Sequence, residues 1–163
     1  MEKTELLGQK EQLIPWYRSL ESLPAALWLR PLREGGWTIA EVAAHLKAWD
    51  EFVMEHRLVY ISRDADTPPA AVHVQDINDG ASRYARSGIS RVELLNQCIA
   101  ARKQLVQALE ALPEEKFRRV YQMGSSKVTL AQYVQYLIEH DVHHRQQITA
   151  FVESLENGEQ DEG

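Results

Sequence analysis

Residues 129–155 read TLAQYVQYLIEHDVHHRQQITAFVESL, and a helical period organises them. At about 100° per residue, Leu130, Tyr133, Leu137, Ile148, Phe151 and Leu155 fall on one stripe of an α-helix. Such a stripe must face a core. Thr129 and Gln132 have the spacing of a capping box, in which the two side chains satisfy N–H groups that the first helical turn leaves orphaned. The helix is expected to reach Asn157, leaving 158–163 as a frayed tail. His144 lies within the apolar stripe and His140, one turn earlier, lies at its edge. Both imidazoles can point inward, whereas His143 leaves the helix about 100° from His144, toward solvent or the flank of a neighbouring helix.

The rest of the chain repeats this pattern. Leu6, Leu13, Ile14, Tyr17 and Leu20 share one face of a helix predicted over 4–22, with Pro15 inside it as a source of a kink. Pro24 opens a short turn, and Gly35-Gly36 breaks the chain. Thr38 and Glu41 form a second capping pair, from which a long helix should run to Ile61 with Val42, Trp49, Val53 and Tyr60 on its apolar face. His45 lies at the edge of that face. Residues 62–72, with Asp64, Asp66, Pro68 and Pro69, have the composition of a surface loop. A short helix is expected over 74–85. Ser90 and Glu93 open a third long helix carrying Leu94, Leu95, Ile99, Leu105, Leu109 and Leu112, which Pro113 closes. Strand signals are poor, so the stretch ending in Gly124-Ser125-Ser126 is expected to be irregular. The economical architecture is a single all-α domain over 1–157, a four-helix bundle with short connecting helices.

Composition narrows the function. The 163 residues carry a net charge of −6, and Lys and Arg form no basic run, so nucleic acid is not the expected partner. Nowhere do 18 consecutive apolar residues occur, so no membrane span is expected. Cys98 is the one cysteine, and no N-terminal segment joins basic residues to an apolar stretch of signal-peptide length. A reducing cytoplasm is the compartment this suggests. Amid Leu94, Leu95 and Ile99, Cys98 reads as a packing residue rather than a nucleophile.

Histidines at i and i+4 reach one cation from adjacent turns, and a third from a facing helix completes a three-nitrogen face. His140, His144 and His45 meet that description. His56 is 11 residues beyond His45, roughly 16 Å along the axis at 1.5 Å per residue, too far to share its site. His73 has no geometry to judge it by. Asp141 projects toward the core, where it could accept from a ring N–H and fix its tautomer, or pair with an arginine of another helix. Gln147 lies on the His140 side of the stripe, placed for a bound ligand or for an interhelical hydrogen bond. Two readings compete: a metal site with an open coordination position, and buried histidines satisfied by hydrogen bonds. Imidazole suits zinc, nickel and iron alike.

The motifs Trp37-Thr38-Ile39-Ala40-Glu41-Val42-Ala43-Ala44-His45-Leu46, then Trp49, and His140-Asp141-Val142-His143-His144-Arg145-Gln146-Gln147-Ile148 resemble those of the DinB-like superfamily. These are metal-binding four-helix-bundle proteins that include YfiT-type members. The resemblance spans nearly the whole chain and implies His45, His140 and His144 as ligands of a divalent transition metal. It implies less about chemistry. Some relatives transfer low-molecular-weight thiols such as bacillithiol or mycothiol, others isomerise thiol adducts, and many have no assigned activity. The expectation is therefore a metal-dependent enzyme, a thiol S-transferase or a hydrolase, acting on a small molecule. The alternative is a non-catalytic small-molecule-binding or stress-response bundle in which the metal or the histidines are structural. Family members often pair through helix faces, so a homodimer is expected.

Overall fold

The computed structural model describes residues 2–68 and 73–161. Its elements in chain order are α1 (Lys3–Glu11), α2 (Leu13–Ser19), a 3-10 turn (Leu20–Ser22), α3 (Ala25–Trp28) and α4 (Ile39–Val53). A π-helical turn (Met54–Leu58) carries α4 into α5 (Val59–Ile61), and α6 (Val74–Ala85), α7 (Arg91–Glu110) and α8 (Glu114–Arg118) follow. Strands β1 (Val120–Met123) and β2 (Ser126–Thr129) lead into α9 (Leu130–Asp161). The four arms of the bundle are α1–α2, α4–α5, α7 and α9, and α3, α6 and α8 are short connecting helices. No described helix is long and apolar enough to cross a membrane.

Local chemistry explains the boundaries. Pro15 cannot donate to the Glu11 carbonyl and its ring crowds that position. The first arm accordingly breaks at Gln12, whose N–H turns to the Gln9 carbonyl at 3.3 Å. Both histidine-bearing helices open on reciprocal caps. The Thr38 hydroxyl accepts from the Glu41 N–H at 3.1 Å while the Thr38 N–H donates to the Glu41 carboxylate at 3.4 Å. Thr129 and Gln132 exchange the same two bonds at 3.1 and 2.9 Å. At Ser90 the hydroxyl accepts from the Glu93 N–H at 3.1 Å.

Three expectations are corrected. The stretch before α9 is a hairpin, with β1 and β2 antiparallel and Met123 opposite Ser126. Gly124 supplies the positive φ of 63° that a two-residue turn needs at its first central position. Tyr121 and Met123 bury themselves in the core, so packing sustains strands too short to announce themselves in sequence. Second, the π turn inserts a residue and advances the helical phase, which turns Leu58 and Ile61 into the core and leaves Tyr60 half-buried. Third, α9 continues past Asn157 to Asp161, so the tail extends the helix instead of fraying there. Within the expected loop, 62–68 is turn and coil. Residues 69–72 and the tail's last two, 162–163, lie outside the described residues.

The buried apolar side chains form two clusters. One includes Leu13, Tyr17, Leu46, Leu95, Cys98 and Ile148, and the other Leu6, Val53, Leu105, Leu109, Val134 and Ile138. On each arm a charged residue occupies the core position between them: Lys10 on α1, Asp50 on α4, Arg102 on α7 and Asp141 on α9. The Arg102 guanidinium donates to both oxygens of Asp50, at 2.8 and 2.9 Å, and to both of Asp141, at 2.7 and 3.1 Å. The Lys10 ammonium donates to Asp141 at 2.9 Å. Two cations and two anions cancel, and one layer of hydrogen bonds ties all four arms together. Burial opposes ionisation of Asp141, but Lys10 and Arg102 outweigh it and hold the carboxyl below its ordinary range.

Candidate metal centre

Helix α4 presents His45, and α9 presents His140 and His144 from successive turns. The Nε2 atom of His140 lies 3.1 Å from Nε2 of His45 and 3.2 Å from Nε2 of His144. The three candidate ligand atoms all lie within 4.8 Å of one another. With metal–nitrogen bonds of about 2.0–2.1 Å, two ligands sit about 2.9 Å apart at a right angle and about 3.4 Å apart at the tetrahedral angle. The two separations from His140 fall between these values, so His140 with either neighbour matches the bite of one divalent ion, and the third nitrogen lies within 4.8 Å of both.

Tautomers are set from behind. The Nδ1 of His45 lies 2.9 Å from Oδ1 of Asn78 on α6. The same oxygen accepts from the Trp49 indole N–H at 3.1 Å. An indole N–H can only donate, so it fixes which end of the Asn78 amide faces His45. Nδ1 of His45 must then carry the ring proton, and Nε2 keeps its lone pair for the centre. Gln147 stands behind His144, its Oε1 3.1 Å from Nδ1, with no second hydrogen bond among the described residues to fix its amide. His140 remains free to choose its tautomer. In metal-free protein its Nε2–H can donate to the two neighbouring lone pairs, and moving that proton to Nδ1 frees the third nitrogen.

Electrostatics favour the ligating form. Burial, with His144 and His140 adding to it, pushes His45 down to about 4. Burial and His144 push His140 down to about 4, and burial lowers His144 as well. Three neutral imidazoles at pH 7 are what a metal requires.

Other expected residues find different places. Of the two roles open to Asp141, the structure shows the pair with an arginine of another helix and not the fixing of a ring tautomer: it belongs to the buried ion layer, and among the described residues it makes no hydrogen bond to a histidine ring. The arginine beside it, one helix away, holds it more strongly than a neutral imidazole could. Gln147 contacts His144, as an outer partner. His143 is exposed on α9, as its direction predicted. His56 stacks on Phe52 in the π turn with ring centroids 4.9 Å apart, outside the centre, and His73 is exposed at the start of α6. Cys98 is fully buried, donates to the Ala43 carbonyl at 3.4 Å, and is pushed up to about 12 by burial. Asn78 is the residue that sequence reasoning missed. A polar residue on a short amphipathic helix gives no sign that it will meet a histidine 33 positions earlier.

The Trp37 ring packs on His45 with centroids 4.9 Å apart. Beside it a cleft of about 300 Å³ opens to solvent at His144, lined by Arg33, Trp37, His143, His144 and Gln147 among others.

A helical bundle whose two capped arms converge on three imidazole nitrogens defines the class: a histidine-triad four-helix bundle. The sequence profile of the DinB superfamily matches residues 16–148, which contain the whole triad, and the chain belongs to that superfamily. The solved structure of YfiT from Bacillus subtilis, described as a probable metal-dependent hydrolase with an unusual four-helix bundle topology, is similar in fold. It aligns with a TM-score of 0.75 at 17% identity, over 94% of this chain and 87% of that chain. No curated protein sequence matches the chain significantly.

Proposed function

We propose that the protein is a metal-dependent enzyme in which His45, His140 and His144 hold one divalent transition metal (zinc, nickel or iron) and a small molecule reacts at the coordination position that three ligands leave open. The observation that carries this reading is the convergence of three ring nitrogens, those of His45 and His144 lying 3.1 and 3.2 Å from Nε2 of His140 and all three within 4.8 Å, with Asn78 and Gln147 behind two of the rings. When bound, such an ion supplies Lewis-acid chemistry, lowering the pKa of a water or thiol and polarising an electrophile. The chain's own groups hold and orient. Asn78 holds the ring proton of His45 away from the centre, Gln147 stands behind His144, Trp37 and Trp49 shield His45 from water, and the cleft beside His144 admits substrate.

Hydrolysis and thiol S-transfer are the two reactions this site suits. The description of YfiT supports the first. The motif resemblance supports the second, and the substrate it implies is a low-molecular-weight thiol. In either case Cys98 is no nucleophile, being sealed in the core with its thiol proton held. An unpaired buried thiol suits a reducing cytoplasm, where we place the protein.

Elemental analysis of protein purified without an affinity tag should find close to one equivalent of metal per chain. Ester and amide hydrolysis, and thiol addition to electrophiles, should then be screened with and without chelator. Chelator-sensitive turnover is the expected result. Metal uptake without any turnover would leave the ion a stabilising role and overturn the enzymatic reading.

A further inference from the structure

The cleft at the triad contains one fixed charge. Of its lining residues only Arg33 is permanently charged, and no acidic side chain contributes to its wall. Among the described residues the Arg33 guanidinium makes no ion pair or side-chain hydrogen bond. Arg102 binds two carboxylates, Arg119 binds Asp64 at 2.6 Å and Arg91 binds the Leu23 carbonyl at 2.9 Å, whereas Arg18, Arg30, Arg63, Arg83 and Arg145 are, among the described residues, without such a partner as Arg33 is, and of these only Arg33 lines this cleft. An unpaired arginine in a concave wall is suited to an anion that arrives from outside.

The turn that carries Arg33 is built to direct it. Leu32 donates to the Trp37 carbonyl at 2.8 Å and Gly36 to the Arg33 carbonyl at 2.9 Å, which closes a tight loop over 32–37. Gly35 takes φ +71°, a conformation that side chains resist. At Gly36 a Cβ would stand 2.6 Å from Cγ and 3.3 Å from Nε of Arg33, so the arginine stem runs across the bare face of this glycine. Arg33 is exposed, and its contact with Gly36 restricts the stem alone, which lessens the rotamer freedom to be lost on binding. Trp37, the next residue, packs on His45. One short segment thus connects the cation to the triad.

From this we infer that the cleft binds a carboxylate of the substrate at Arg33, so that the protein acts on small acidic molecules whose reactive end faces the histidines. The inference rests on the proposed function for the reactive end, but the carboxylate site itself stands on the loop and cleft. A chain of net charge −6 gives an anion no general attraction, which makes a local, directed cation the means of selecting one. The cleft, about 300 Å³, is at the small end of ligand sites.

The test uses the full chain loaded with cobalt(II) and two isosteric probes, 3-mercaptopropionate and 3-mercaptopropanamide. Titrating each while following the thiolate-to-cobalt absorption band should show the acid binding at least tenfold more tightly than the amide. Arg33→Met should erase that preference and leave the amide's affinity within twofold. Gly36→Ala, which keeps the charge but blocks the path of its stem, should reduce the preference as well. Equal binding of the two probes, or a preference that survives Arg33→Met, overturns the proposal. Should the protein take up no cobalt, the proposed function fails, and metal-free protein still decides the carboxylate site. Glutarate should then shift the amide resonances of Gly35 and Gly36 in wild type and not in Arg33→Met, and absence of that difference sinks the inference.

Discussion

Two polar clusters sit side by side in this bundle and share two of its helices, α4 and α9. His45 and Asp50 are neighbours on α4, and His140 and Asp141 are adjacent on α9. The ion layer of Lys10, Asp50, Arg102 and Asp141 is closed. Its charges sum to zero, the guanidinium spends its donors on two carboxylates and the Lys10 carbonyl, and each member lies in a core position. The triad is open. Three lone-pair nitrogens face one another, with at most one shared proton to reconcile them. Burying polar groups is costly unless they are satisfied. A cluster whose charges are neutralised by its own members holds a fold together, and one whose ring nitrogens converge on a common point can take up a cation.

Substitutions should separate the two, and the largest effect belongs to the ion layer. Replacing Arg102 with Met leaves two carboxylates facing each other in the core, and breaking a buried pair in this way costs about 3–5 kcal/mol. Urea unfolding of metal-free protein is the measurement. A loss under 1 kcal/mol would mean that the layer is not the brace described here. His144→Ala should behave in the opposite sense. Metal affinity should fall well over ~100-fold, because a direct ligand is lost and not an outer partner, whereas the stability of metal-free protein should hold or rise as one crowded ring is removed. If calorimetric titration shows unchanged affinity, the ligand assignment is wrong.

Acid should weaken the triad before the ion layer. In folded protein His45 and His140 are held down near 4, against an ordinary value of about 6.5 in the unfolded chain. Between these values the unfolded chain binds more protons, so stability falls as pH falls through the window. At up to about 1.4 kcal/mol per unit for each histidine, less for partial exposure, metal-free protein should lose about 2–3 kcal/mol between pH 7 and 5. Stability independent of pH over that range would contradict the depressed values. The smallest effects belong to the outer partners. Asn78→Ala should weaken metal binding by ~10 to 100-fold, since the His45 tautomer is no longer enforced. His143→Ala, on the exposed side of α9, should change it by less than that range, and an equal loss at both sites would mean that His143 supports the centre from outside.

Much of this was legible in residue order. Apolar spacing and three capping pairs located the long helices, because local hydrogen bonding and burial of one face act within a few residues of sequence. The same spacing turned His45, His140 and His144 toward the core and His143 away from it. The ion layer went unread in the sequence, although it left a signal there. Lys10 between Leu6 and Leu13, and Arg102 between Cys98 and Leu105, hold positions in the apolar period where a charge is out of place, yet nothing in the order of residues says which charges meet. That Asp141 joins Arg102 instead of a histidine, that Asn78 and Trp49 fix the ring of His45, and that Arg33 borders the cleft beside His144 were decided only by the tertiary fold. Each pairing joins groups far apart in the chain, and its choice depends on distances between helices, which periodicity along one helix does not contain.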